Sequence, residues 1–181
     1  MSDAVVIPGR MFGPCTPLPM FTGDLAASRG AAVHRHRWTA TPPGFPEIFE
    51  PQTQEWVRGE VAPLLDRVGG RPLLIAKSLG TNAADLAAER DLPAIWLTPV
   101  LTCAHIVEAM CRATAPFLLV GGTGDDMWDG PPARTLTPHV HEVPDADHGM
   151  YVPGPVTGSI AVLSGVVTAA ATFLDDIAWP R

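Results

Sequence analysis

Residues 74–81 read LIAKSLGT. An aliphatic run ends at Lys77, Ser78 follows, and an alanine-rich segment, LGTNAADLAAER, begins at Leu79. The apolar run has the composition of a strand buried on both faces. Ser78 therefore stands at a strand-to-helix junction, and two roles fit a serine there. It can cap the helix, its hydroxyl accepting a backbone N–H of the first turn. It can also be a nucleophile held on a sharp turn. That second role needs small residues two before and two after it, so that strand and helix can close around a strained backbone. Ala76 and Gly80 meet this need, although the first position is more often glycine. These eight residues alone leave both roles open.

Five more short apolar runs surround this one: AVVIP (4–8), AAVHRHRW (31–38), PAIWLTP (93–99), PFLLVGG (116–122) and HVHEVP (139–144). Helical patterns lie between them. The stretch 52–68 puts Trp56, Val57, Val61, Leu64, Leu65 and Val68 on one side and stops at Gly69 and Gly70. LTCAHIVEAMCRAT follows the run at 93–99, and a long apolar helix spans about 156–177. The region 10–29 is left unassigned, because PCTPLP delays any helix. Alternating strands and helices imply parallel strands joined by right-handed crossovers. The expected fold is a three-layer α/β/α sandwich, one domain over 1–181, with a mainly parallel sheet of about six strands. Ligands of such sheets bind where the strands end, here after Pro8, Lys77, Thr98, Gly122 and Pro144.

The residues at those ends carry chemistry. TGDDMWD follows the strand at 116–122 and supplies Asp125. DADHGM follows the last short strand and supplies His148. Serine, acid and histidine thus occur in that order, each after a different strand. This is the set needed for a hydroxyl nucleophile, a base to take its proton and a carboxylate to orient the base.

These segments resemble a short α/β-hydrolase. VVIPGRMFG matches the first core strand and oxyanion loop, AKSLG the nucleophile elbow, GGTGDDMWD the acid loop and DADHG the histidine loop. The resemblance covers nearly the whole chain and favours Asp125 over Asp126, through the Gly-x-x-Asp pattern Gly122-Thr123-Gly124-Asp125. It implies a truncated α/β-hydrolase fold that starts at the third strand of the larger form and has no lid domain. It also implies sheet edges at 31–38 and 139–144. Their His34, His36, His139 and His141 then read as charged edges that deter edge-to-edge pairing.

The resemblance further implies a serine hydrolase acting on a small ester, thioester or lactone through an acyl-enzyme. The catalytic set is Ser78, Asp125 and His148. The oxyanion hole would use the N–H of Leu79 with that of Arg10, or Met11 as the alternate. The family often has His-Gly-x where this chain has Pro8-Gly9-Arg10. The Arg10 side chain is then either a cation for a substrate carboxylate or phosphate, or a solvated arginine. Candidate pocket residues are Met11, Phe12, Leu79, Leu101, Met127, Trp128, Met150 and Tyr151, suited to an acyl or aryl group of modest size. Lys77 reads as a partly exposed linker. No cofactor and no metal is implied.

The resemblance implies a small-molecule acyl substrate as partner; the bulk composition by itself fits a compact enzyme or binding domain. Hydrophobic residues make up 46% and charged residues 17%, which excludes a disordered chain. A net charge of -7 argues against nucleic acid or an anionic membrane as partner. No apolar stretch is taken to reach the length of a membrane span. The first residues lack the pattern of a secretory signal, so a cytoplasmic location is expected. Three scattered cysteines form neither a disulfide framework nor a metal pair. HVHEVPDADH is not a zinc motif, because five residues separate His141 from Asp147. A cysteine nucleophile is excluded by Ser78 itself. The alternative that stays open is a protein of this fold with a non-hydrolytic role, a biosynthetic cyclase or lyase or a non-catalytic binding protein. Oligomeric state is not legible.

Overall fold

The computed structural model describes residues 3–11 and 13–179. Six strands form one sheet: β1 (Asp3–Ile7), β2 (Ala32–Arg35), β3 (Leu73–Lys77), β4 (Ala94–Leu97), β5 (Phe117–Gly122) and β6 (Val140–Val143). Their order is β2-β1-β3-β4-β5-β6, and every neighbouring pair is parallel. The helices are α1 (Pro17–Ser28), α2 (Pro51–Val68), α3 (Ala84–Arg90), α4 (Ala104–Cys111), α5 (Gly130–Leu136) and α6 (Val156–Phe173).

The two-residue period of the strands builds the three layers. Val5, Ile7, Leu74, Ala76, Ala94, Trp96, Phe117 and Leu119 face α2, α3, α4 and α5. Their chain neighbours Ala4, Val6, Leu73, Ile75, Ile95, Leu97, Leu118 and Val120 face α1 and α6. Central strands must therefore be apolar at every position, which is how they read in sequence. In α2 the predicted stripe is the packed one: Val57, Val61 and Leu65 are buried, with Trp56, Leu64 and Val68 packed beside them.

Three expectations change. The region 10–29 contains a helix after all. Pro17 and Pro19 lie in its first turn, where a missing N–H costs nothing, so the prolines start α1 instead of delaying it. Of the edge histidines, His34 keeps a partly exposed place beside Asp3, at 2.9 Å, but the other three are not solvated charges. His36, just past β2, is buried against the Trp38 ring and Glu60, and burial pushes its pKa down. His139 packs edge-on to Phe173, and His141 is half-buried.

The chain also does hold an apolar stretch of spanning length. Val156–Ala178 runs 23 residues with a mean hydropathy of 1.7 in its most apolar window, of which 17% is buried. In the fold this segment is α6 and its π-helical extension. It packs on α1 and the sheet through Val166, Ala170, Phe173 and Leu174. Arg29 at the end of α1 clamps it with a bidentate pair to Asp175, at 2.8 and 2.7 Å.

Gly59 lies exposed within α2, with nothing near the place a Cβ would take. Gly59→Ala should stabilise the fold by about 0.5–1 kcal/mol, read as a shift in the urea midpoint at constant slope.

Candidate active site

The site starts from the turn between β3 and α3. Ser78 has φ 52°, a left-handed backbone that non-glycine residues seldom adopt. A tight 3-10 turn, Ser78–Ala83, leads from it into the helix. Side chains lock that turn: Thr81 Oγ1 donates to the Ser78 carbonyl at 2.6 Å, and Asn82 Nδ2 donates to the Leu79 carbonyl at 3.0 Å. Gly80 faces the end of β1. A Cβ there would lie 2.8 Å from the Pro8 carbonyl oxygen and 2.9 Å from that of Ile7. Gly9 approaches from the same side, its own Cβ position 3.5 Å from the Cβ of Ser78. The small residues around the serine thus let two strand ends meet.

His148 and Asp125 arrive from loops after β6 and β5. His148 Nε2 lies 2.8 Å from Ser78 Oγ, and His148 Nδ1 lies 2.8 Å from Asp125 Oδ2. Asp125 is buried, and its Oδ1 accepts the Met127 N–H at 2.9 Å. That carboxylate accepts a hydrogen bond from Nδ1–H, which leaves the Nε2 lone pair facing the serine hydroxyl. Asp126 is exposed and takes no part in this relay. The histidine loop is tied to the acid loop: Gly124 N–H donates to the Ala146 carbonyl at 3.0 Å, and Asp145 N–H donates to Thr123 Oγ1 at 2.8 Å. Asp147 Oδ1 closes the loop by accepting from the N–H groups of Gly149 and Tyr151, at 2.8 and 2.9 Å.

A cavity of about 580 Å³ opens on Ser78 and His148. Of the residues expected around it, Met11, Leu79, Met127, Met150 and Tyr151 line it, as does Arg10. Phe12 lies outside the described residues. Leu101 and Trp128 are corrections, since neither lines the cavity. Leu101 is buried in the core on the α2–α5 side and donates its N–H to the Met127 carbonyl at 2.9 Å. Trp128 folds down onto Gly121, where the absent Cβ makes room for its indole, and its Nε1 donates to Glu142 Oε2 at 2.7 Å.

The remaining walls were not foreseen. They come from Pro17 and Leu18 of α1, Phe45 and Ile48 of the loop before α2, and Ile160 and Leu163 of α6. The unassigned stretch 10–29 concealed the first pair. The signal for the last was the apolar helix itself, whose first turns exceed what the core needs. Arg10 is not freely solvated: its Nε donates to the Pro43 carbonyl at 2.7 Å and braces that loop. Among the described residues, no cluster of His, Cys, Asp and Glu could hold a metal ion.

No protein-family model matches the sequence, and no curated protein matches it either. Solved structures do match in shape. A Xanthomonas campestris protein of the alpha/beta hydrolase superfamily aligns with a TM-score of 0.68 at 17% identity, covering 98% of this chain and all, 100%, of the other. The fold is the α/β-hydrolase fold. It is a short form without a lid domain, like a lidless α/β serine hydrolase from the same species (TM-score 0.58, 14% identity, covering 96% and 84% of the two chains). Est1E from Butyrivibrio proteoclasticus, solved with ferulic acid bound, is also similar (TM-score 0.63, 13% identity, covering 94% and 90%). In this α/β-hydrolase fold the cavity is walled by α1, α6 and the loop before α2.

Gly80→Ala should destabilise the fold by about 1–3 kcal/mol, because the atoms a methyl would meet are main-chain carbonyls that cannot swing away. Urea unfolding measures this, and a neutral result would show that the elbow is looser than its contacts imply.

Proposed function

We propose that the chain is a serine hydrolase that cleaves a small ester, thioester or lactone through an acyl-enzyme. The observation that carries this reading is the relay from Asp125 through His148 to Ser78, two contacts of 2.8 Å ending at a strained serine on the floor of an apolar cavity. In the first half-reaction His148 Nε2 takes the hydroxyl proton as Oγ bonds to the carbonyl carbon. Asp125 holds the ring and stabilises the imidazolium. The tetrahedral oxyanion would be met by the N–H groups of Leu79 and of Arg10 or Met11, residues that line the cavity beside Ser78. Such a donor is worth roughly 3 kcal/mol to the transition state. As the intermediate collapses, the imidazolium gives its proton to the departing alkoxide or thiolate. Water then repeats the sequence on the acyl-enzyme, with His148 again as base, and releases the acid.

The cavity supports an apolar acyl or aryl group. Its walls are mainly methionine, leucine, isoleucine and aromatic side chains. Est1E, which shares the fold, holds an aromatic carboxylic acid.

A fluorophosphonate probe should label Ser78 in the wild type and leave Ser78→Ala unlabelled, as read by intact mass and peptide mapping. Asp125→Asn should keep the fold and lower kcat by about three to four orders of magnitude, because the imidazole loses the acceptor that sets its tautomer. p-Nitrophenyl butyrate should be hydrolysed with a higher kcat/KM than the acetate, reflecting the apolar walls. No adduct on Ser78 together with no turnover of either ester would discard the hydrolase reading in favour of a non-hydrolytic role.

A further inference from the structure

The reaction scheme leaves Lys77 unused, yet its placement is costly. It ends a central strand, one residue before the candidate nucleophile, and its side chain is partly buried beside the cavity. Burial pushes its pKa down to about 8, against a partial pull upward from Asp125 and Asp147. Those are the charged groups that face it, and their oxygens serve other donors: Asp125 binds His148 and the Met127 N–H, and Asp147 Oδ1 binds the N–H groups of Gly149 and Tyr151. Lys77 is partly exposed, as its reading as a linker had it, but it lines the cavity and its ammonium makes no ion pair among the described residues.

Its hydrogen bonds go to neutral oxygens. Nζ donates to Thr98 Oγ1 at 3.0 Å and to the main-chain carbonyl of His148 at 3.0 Å. Thr98 is fully buried at the end of β4 and has φ 43°, a conformation that β-branched residues rarely take. Its N–H is fixed to the Val120 carbonyl at 2.7 Å. Strained backbone thus delivers a hydroxyl to the lysine. Apart from the Nε2 contact with Ser78 itself, the other bonds of residues 145–151 close the loop on itself or on the loop after β5. The Lys77 bond instead ties residue 148 to the strand that carries Ser78.

We propose that Lys77 is a positioning residue for the histidine: it locks the main chain of His148 to the end of β3 and so keeps Nε2 at bonding distance from Ser78 Oγ. The inference rests on the serine-hydrolase reading. It separates from an ordinary structural role by the sign of its effect on stability. A lysine whose folded pKa is depressed costs stability at every pH below about 8, and the cost fades between about 8 and 10.5, where the unfolded lysine also loses its proton.

Lys77→Met keeps the length and apolar stem and removes charge and donors. At neutral pH it should raise Tm by several degrees, an advantage over wild type that shrinks above about pH 8. It should slow fluorophosphonate labelling of Ser78 by about tenfold and lower kcat with KM nearly unchanged, because a misplaced base affects the chemical step. In the wild type the labelling rate should fall as pH rises through about 8, when the charge-assisted bond to His148 weakens, and Lys77→Met should lack that limb. Lys77→Gln, which keeps an N–H donor without charge, should recover part of the rate and also lack the limb. Thr98→Val should slow labelling, and its effect should not add to that of Lys77→Met.

A Lys77→Met protein that labels at the wild-type rate from about pH 6 to 9 overturns the inference, as does additivity with Thr98→Val. Loss of rate in step with loss of Tm also overturns it, since that is the behaviour of a structural lysine. Wild type that takes no label overturns the underlying hydrolase reading instead, and the inference goes with it.

Discussion

The left-handed turn at Ser78 is the constraint to which the surrounding architecture answers. A serine at φ 52° costs conformational energy, on the order of 1–3 kcal/mol for a residue in such a region, and persists only when its surroundings leave no alternative. Here β3 is held between β1 and β4, and the missing Cβ of Gly80 lets the elbow press against the carbonyls that end β1. Strain is not confined to the serine. Among the described residues five non-glycines have positive φ, and four of them, Ser78, Thr98, Asp145 and Met150, lie at the ends of β3 and β4 or in the histidine loop. The fifth, Asp91, merely caps α3. Such clustering marks the carboxyl edge of the sheet as the place where the fold spends stability on geometry.

Charge follows the same division. The sheet's interior is apolar on both faces, so buried charge is tolerable only where strands end and backbone groups can solvate it. Asp125 and Lys77 both sit there. The carboxylate is satisfied by an imidazole and a main-chain N–H, the ammonium by a hydroxyl and a main-chain carbonyl. The absence of a lid domain shifts work to the remaining elements. α1, the loop before α2 and the first turns of α6 become cavity walls, and α6 keeps apolar side chains such as Val156 and Ile160 exposed at the rim.

Much of this could be read along the chain. Strands buried on both faces announce themselves as continuous apolar runs, and β2 and β6 are the sheet edges that the resemblance implied. Ser78, Asp125 and His148 were legible because each stands just past an apolar run. What failed has one physical cause. Leu101 and Trp128 are apolar residues near strand ends, just as Met127 and Met150 are, and composition does not say which way such a side chain turns. Gly121 decides for Trp128 by leaving a hollow on the sheet. The partners of Lys77 were hidden for a related reason: only the carbonyl of a residue 71 positions away, with Thr98 beside it, gives the partly buried ammonium its hydrogen bonds. His36 was misjudged likewise, since Trp38 and Glu60 close over it in space.

LIAKSLGT, then, carried within itself the parts of the answer that depend on steric size and short-range period: a strand, a turn that needs small neighbours, a helix. Local pattern suffices there because backbone conformation and alternation of faces are properties of consecutive residues. Whether the serine is a cap or the end of a proton relay depends on groups 47 and 70 positions further on, brought within 2.8 Å contacts only when the sheet assembles. Hydrogen bonding and desolvation act over a few ångströms of space whatever the separation in sequence. The relay, the cavity and the partners of Lys77 therefore belong to the tertiary structure.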